Sequence, residues 1–262
     1  MGCGWLGLPL AESLIADGHK VSGTTTSKEK MKELERKGIT PFQISISEQG
    51  ITGTMDDFLN RCTILVINIP PGLRGKGPKE SYIAKIRLLH AQVKKSAIEK
   101  VIFISSTSVY GDVEGEVTED TTPEPSSVSG KQILACEQLF SNDSEIAATI
   151  IRFAGLIGPD RHPVTILSGR KNLSGGNAPV NLIHLEDCIG IIKAVLQHGF
   201  WNEIWNGVYP NHPKKADYYQ QEALKRGLEP PHYEQDSSIS HKKINTCSIF
   251  LTNKYHFSTP IN

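Results

Sequence analysis

An excess of charge of either sign is what this sequence lacks: in 262 residues, 28 Lys plus Arg face 28 Asp plus Glu. Without an overall field, nothing favours nucleic acid or an anionic membrane as a partner. Cysteine is also scarce. The five present (Cys3, Cys62, Cys136, Cys188, Cys247) are odd in number, far apart and never spaced Cys-x-x-Cys. That pattern argues against a disulfide framework and against a zinc site, and suits the reduced thiols of a cytoplasmic protein. No apolar run reaches the ~18 to 20 residues that span a bilayer, and the N-terminus shows no basic stretch leading into an apolar one. Internal repeats and low-complexity tails are missing too. The partner expected is a small molecule, with no nucleic acid, membrane or metal, and a homodimer is a possible assembly.

What is present is alternation. Helical periodicity covers Leu8 to Asp17, ended by Gly18, and a strand is expected over His19 to Thr25. A charged helix follows over Lys28 to Lys37, then a strand over Pro41 to Ile46. Thr63 to Ile69 and Val101 to Ile104 are almost wholly apolar, as strands covered on both faces should be. Between them Ile83, Ile86, Leu89 and Val93 mark one stripe of a helix over Ser81 to Ser96. Helices over Lys131 to Phe140, Glu186 to Gln197 and Ala216 to Lys225, with strands over Ala147 to Ile151 and Glu203 to Val208, continue the pattern. Such regular strand-helix alternation predicts an α/β, doubly wound parallel sheet of Rossmann type. At this length one folding unit is expected: a core over residues 1–154 and a part over 155–262 that completes the sheet and forms a small substrate lobe. Two irregular stretches, Gly111 to Gly130 and Gly158 to Asn181, follow strand ends, where open α/β sheets bind ligands. Arg161 and His162 in the second are candidates for an anionic substrate and equally for solvent-facing residues.

The loop Gly2-Cys3-Gly4-Trp5-Leu6-Gly7 has the spacing that lets a chain turn tightly, bring backbone N–H groups to a pyrophosphate and pack a helix against a strand. A strand should precede it, yet only Met1 does. The expectation is that the first strand is missing from this chain, through a mis-set start or truncation, unless another segment fills its place. The acid that would hold a bare ribose ~20 residues later is absent as well. Thr24-Thr25-Thr26-Ser27, with Lys28 and Lys30 just beyond, suits a 2′-phosphate by a small margin, so the cofactor is NADP or NAD with NADP favoured. Ser27 as the cap of a solvated helix explains the same residues equally well.

Ser105-Ser106-Thr107-Ser108-Val109-Tyr110-Gly111 follows the strand Val101 to Ile104, and Gly130-Lys131 comes ~20 residues later at a helix start. With the glycine loop, these motifs resemble the short-chain dehydrogenase/reductase superfamily, in its extended and atypical branch of NAD-dependent epimerases and dehydratases. The similarity extends to Asn68-Ile69-Pro70-Pro71, Arg152 to Pro159 and Asn181 to Asp187. The resemblance implies that Ser106 hydrogen-bonds the reacting oxygen and that Lys131 holds the nicotinamide ribose while lowering a tyrosine's pKa. It also implies a cofactor path along Gly2, Gly4, Trp5, Leu6, Gly7, Thr24, Thr25, Thr26, Asn68, Pro70 and Phe153. The chain departs from the family at one place: the tyrosine of the Tyr-x-x-x-Lys pair is Ser127, a far weaker acid than a phenol. Tyr110, the closest phenol in sequence, is a substitute acid, although its role in the family is more often structural. Two functions follow: an NAD(P)-dependent epimerase/dehydratase-like enzyme or reductase acting on a small carbonyl or sugar-type substrate, or a non-catalytic NAD(P)(H)-binding sensor or regulatory protein. A scaffold that binds no nucleotide is the third.

Overall fold

The computed structural model describes residues 1–73, 79–234 and 242–262. In chain order the first elements are α1 (Gly7–Ala16), β1 (Ser22–Thr25), α2 (Lys28–Arg36), β2 (Thr40–Gln43), β3 (Ser45–Ser47) and β4 (Gly50–Thr52). Then come α3 (Met55–Leu59), β5 (Ile64–Ile67), α4 (Tyr82–Val93), β6 (Lys100–Ser106), a 3₁₀ turn over Thr107–Tyr110, β7 (Gly115–Val117) and α5 (Val128–Ser141). The chain continues with β8 (Ala147–Phe153), β9 (Gly155–Ile157), α6 (Val164–Leu167), β10 (Leu182–His184) and α7 (Leu185–His198). It closes with β11 (Ile204–Gly207), α8 (Lys215–Lys225), β12 (Lys242–Ile244) and α9 (Ile249–Asn253).

These elements fall into two interleaved compact units. The first comprises Met1–Ser106, Ser127–Ile151 and Ile189–Ile204; the second comprises Thr107–Ser126, Arg152–Cys188 and Trp205–Asn262. The first holds β1, β2, β5 and β6, parallel strands of the expected α/β fold. β5 runs parallel to β6, β1 runs parallel to β2, and the larger sheet has the order β11-β8-β6-β5. Its central strands are apolar because helices cover both faces: Leu65, Ile67, Val101, Ile102 and Phe103 are all within 1% of complete burial. α4 presents Tyr82, Ile86, Leu89 and Val93 to this core at helical spacing, and Phe140 of α5 stacks on Phe103 at 5.6 Å between ring centroids.

β1 and β5 each end a sheet, and the backbone of Met1–Cys3 bonds to the β5 side and to β1. Met1 donates its nitrogen to Val66 O and accepts Asn68 N–H at 3.0 Å on one side, and Cys3 N–H reaches Thr24 O at 3.0 Å on the other. This is the place a central strand takes in a doubly wound sheet. Behind it lies a cavity of about 190 Å³, lined by Leu10, Ala11 and Leu14 of α1 and by the inner edges of β1 and β5.

The second unit builds a separate core from Ile157, Val164, Val180, Leu182, Tyr218, Tyr219, Ala223 and Ile261. His162 belongs to it. Only 6% exposed, its Nδ1 accepts Val164 N–H at 3.2 Å, which leaves Nε2 to donate to Tyr218 Oη at 3.1 Å. Burial and the nearby Arg226 push its pKa down to about 4, against the opposing pull of Glu222. The neutral ring therefore contributes stability that is fully present above the ordinary pKa of 6.5 and is lost as pH falls from there towards 4. Between pH 7 and pH 4, urea unfolding should show the wild type losing about 2 to 3 kcal/mol more than His162→Phe. Equal losses would mean that the ring is not held neutral.

Candidate functional site

In the first unit the glycine loop is shaped by backbone contacts that leave no room for side chains. Gly2 has φ +89°, and a Cβ there would lie 2.5 Å from Asn68 O. A Cβ on Gly7 would lie 2.1 Å from Gly2 O, whereas Gly4 faces open space. Three hydrogen bonds hold this geometry: Gly4 N–H to Gly2 O at 2.9 Å, Asn68 Nδ2 to Gly2 O at 3.3 Å, and Gly2 N–H to Thr24 Oγ1 at 2.9 Å. Thr24 is 3% exposed, so its hydroxyl serves the loop from inside. α1 has no side-chain N-cap, and the N–H groups of Leu6 and Gly7 find no acceptor among the described residues. Two free donors at the positive end of a ten-residue helix suit an anion. Trp5, beside them, is half-buried.

The turn from β1 into α2 holds the residues expected near the ribose. Thr25 Oγ1 accepts Ser27 N–H at 3.1 Å, while Thr26, Lys28 and Lys30 are exposed. Ser27 caps α2 by accepting Lys30 N–H, and it donates to Glu29 Oε2 at 2.6 Å, a bond that holds the Glu29 carboxyl below its usual range. At the end of β5, Asn68 is half-buried and Pro70 exposed. The turn between them is fixed by Tyr82, whose Oη donates to Ile69 O at 2.9 Å and whose phenol burial pushes far above its ordinary pKa.

Ser106 ends β6, half-buried, next to Ser105, whose hydroxyl donates to the buried Glu137 of α5. Ser127 is the N-cap of α5: its Oγ accepts Gly130 N–H at 3.0 Å, in the extended conformation that a cap requires. Lys131, in the first turn of the same helix, is exposed, and its ammonium makes no ion pair with the described residues. Gln132, the next residue, accepts Ile83 N–H at 3.2 Å and Tyr82 N–H, so one amide side chain ties the start of α5 to the start of α4. Tyr82, Gln132 and the Ser105–Glu137 pair escaped the sequence reading. Their partners lie 13 to 50 residues away, beyond any local pattern.

Tyr110 belongs to the second unit and is completely buried. Its Oη donates to Asn206 Oδ1 at 2.9 Å and accepts from Arg152 Nη1 at 2.8 Å, and the guanidinium carbon lies 4.9 Å from the ring centroid. Asn206 in turn donates Nδ2 to Asn245 O at 2.9 Å, and its backbone N–H reaches Glu119 at 2.7 Å. Burial raises the Tyr110 pKa, with Arg152 opposing. Tyr110→Phe should lower unfolding free energy by about 1 to 3 kcal/mol, because Arg152 and Asn206 each lose a buried partner. Denaturant titration checks this, and a loss below about 0.5 kcal/mol would contradict the network. Phe153 is also buried, its ring filling the space where Gly207 lacks a Cβ. Arg161 is exposed, while His162 sits in the core described above. No helix among the described residues is long and apolar enough to cross a membrane.

A parallel α/β sheet with a glycine-lined, uncapped helix start after its inner edge defines a dinucleotide-binding protein of Rossmann type. Residues 2–183 match the family model described as NAD(P)H-binding, and the chain belongs to that family. Protein YeeZ of Escherichia coli (strain K12) is 36% identical over 245 residues, covering 93% of this chain and 89% of that protein. The uncharacterized UDP-glucose epimerase YtcB of Bacillus subtilis (strain 168) is 27% identical over 222 residues, covering 74% of this chain and 70% of its own. In fold, the chain is similar to the UDP-glucuronic acid 4-epimerase of Bacillus cereus in complex with NAD. The TM-score is 0.79 at 18% identity, with 99% of this chain and 90% of the epimerase covered.

Proposed function

We propose that the protein is an NAD(P)-dependent epimerase/dehydratase-like enzyme or reductase acting on a sugar-type or small carbonyl substrate. The observation that carries this reading is the glycine loop: Gly2 and Gly7 pack so closely on backbone that neither has room for a Cβ, Gly4 faces open space, and the N–H groups of Leu6 and Gly7 find no acceptor among the described residues. Those residues fit a nicotinamide dinucleotide. Leu6 and Gly7 would donate to its pyrophosphate, Thr26, Lys28 and Lys30 would face the 2′ position of its adenosine ribose, and Asn68 and Pro70 would flank its path. When bound, the nicotinamide supplies hydride transfer to or from a carbon that bears oxygen. Ser106 would donate a hydrogen bond to that oxygen, and Lys131 would hold the nicotinamide ribose. Ser127 stands where a phenol would act as acid.

NADP is the favoured cofactor, because two exposed lysines outnumber Glu29 at the turn. Fluorescence titration should give tighter binding of NADPH than of NADH, and Lys28→Glu with Lys30→Glu should reverse the order, each lost charge contact being worth about tenfold. An unchanged ratio in the double variant would remove these lysines from the site.

The sensor reading has its own support. Ser127 is held as a helix cap and its hydroxyl is a far weaker acid than a phenol, while the Tyr110 proton is engaged on Asn206 Oδ1, so neither side chain is poised as a proton donor. The variant that separates the two readings is Ser127→Tyr, whose outcome is set out in the Discussion.

A further inference from the structure

The turn that leaves β1 lies beside the glycine loop, because Gly2 N–H bonds Thr24 Oγ1 at 2.9 Å and Cys3 N–H bonds Thr24 O at 3.0 Å. A dinucleotide whose pyrophosphate meets the loop brings its adenosine ribose to this turn. Side chains hold the turn: Thr25 Oγ1 accepts Ser27 N–H at 3.1 Å, and Gln43 Nε2 donates to Thr26 O at 3.4 Å. At its end Ser27 Oγ accepts Lys30 N–H at 3.4 Å and donates to Glu29 Oε2 at 2.6 Å.

That last bond keeps a carboxylate at the turn. Lys28 and Lys30 flank Glu29 in sequence, yet among the described residues its carboxylate is bonded to Ser27 and paired with neither lysine. The Ser27 hydroxyl, and after it the backbone N–H of Glu29 itself, hold the carboxyl below its usual range, so it is ionised at neutral pH. An ionised carboxylate meets the two nicotinamide cofactors with opposite sign. The bare 2′-hydroxyl of NADH donates to it, whereas the 2′-phosphate of NADPH, with a charge of about −1.5 to −2, is repelled. Ser27 serves both states, because a hydroxyl has one proton to give and turns about its C–O bond. It gives that proton to Glu29, or to a phosphate oxygen once Glu29 swings away.

We propose that Glu29 is a specificity-determining residue for the cofactor: held on Ser27, it accepts a hydrogen bond from the ribose 2′-hydroxyl of NADH and limits the margin by which Lys28 and Lys30 favour NADPH. Both cofactors then serve the same site. This deepens the functional reading above and rests on it for the position of the dinucleotide. The charged residues of the turn divide by role: the lysines attract a phosphate and Glu29 selects against it.

Fluorescence titration with NADH and with NADPH, on the wild-type chain and on Glu29→Gln, tests this. Glutamine keeps the length of the side chain and still accepts the Ser27 proton, so the turn keeps its shape while the charge goes. At low salt NADPH should bind Glu29→Gln about three- to tenfold more tightly than it binds the wild type, and NADH about threefold more weakly. In roughly 0.5 M salt, where charges are screened beyond about 4 Å, the NADPH gain should shrink below about twofold. Dissociation constants that shift in the same direction for both nucleotides would overturn the proposal, since that is the mark of a turn merely disturbed. An unchanged ratio with both nucleotides bound would overturn it as well, and would leave the cofactor reading standing. A wild-type chain that binds neither nucleotide would overturn both.

Discussion

Gly7→Ala abolishes nucleotide binding while the rest of the sheet still folds. The added methyl would lie 2.1 Å from Gly2 O and 3.2 Å from Asn68 Nδ2, contacts that no side-chain rotation relieves because the first is to backbone. The loop must move away from α1, and the Leu6 and Gly7 N–H groups would no longer be placed to hold the pyrophosphate of the proposed cofactor. Two charge-assisted hydrogen bonds at about 1.5 kcal/mol or more each correspond to at least a roughly hundredfold rise in the NADPH dissociation constant. Titration by nucleotide fluorescence, with circular dichroism to verify the fold, measures it. An alanine variant that binds as the wild type does would place the nucleotide elsewhere.

Ser127→Tyr has the second large effect. If the chain is an enzyme site that lacks its phenol, the new tyrosine stands four residues before Lys131, and turnover on a panel of carbonyl and sugar-nucleotide substrates should rise by about 10² to 10⁴, the usual worth of a positioned acid-base group. The gain comes with a loss of about 1 kcal/mol in stability, since the cap on Gly130 N–H disappears. A native chain that already turns over, and that tyrosine slows, would show that the serine site works as it stands. No turnover in either form would favour the sensor.

The parts of this architecture that were legible in the sequence are those whose causes are local. The glycine loop announces itself because its three glycines fall within six residues, although the steric demand on Gly2 comes from Asn68, and the apolar runs of β5 and β6 because two covered faces demand them. Element edges were harder. The helix expected from Lys131 begins at Val128, since Ser127 caps it, a signal present in the sequence but overshadowed by the family's expectation of a tyrosine there. The strand expected over His19 to Thr25 pairs only from Ser22, and the one expected over Pro41 to Ile46 breaks after Gln43 into a separate hairpin of β3 and β4. What the sequence could not disclose is long-range. Tyr110 gains its role from Asn206, 96 residues on, and Glu119 from Cys247, 128 residues on. β7 pairs with β12 across a similar distance, which is why a stretch that reads as irregular after Gly111 contains a strand.

In the function proposed, a nicotinamide dinucleotide sits on the N–H groups at the start of α1 that find no acceptor among the described residues. Amide hydrogen exchange of the wild-type chain, with and without saturating NADPH, addresses those groups individually. Leu6 and Gly7, whose N–H groups find no acceptor among the described residues, are expected to become strongly protected by the nucleotide, while amides in the core of the second unit, such as Val180, are unchanged. Saturable NADPH binding that leaves Leu6 and Gly7 as exposed to exchange as before, or no binding at all, would contradict it.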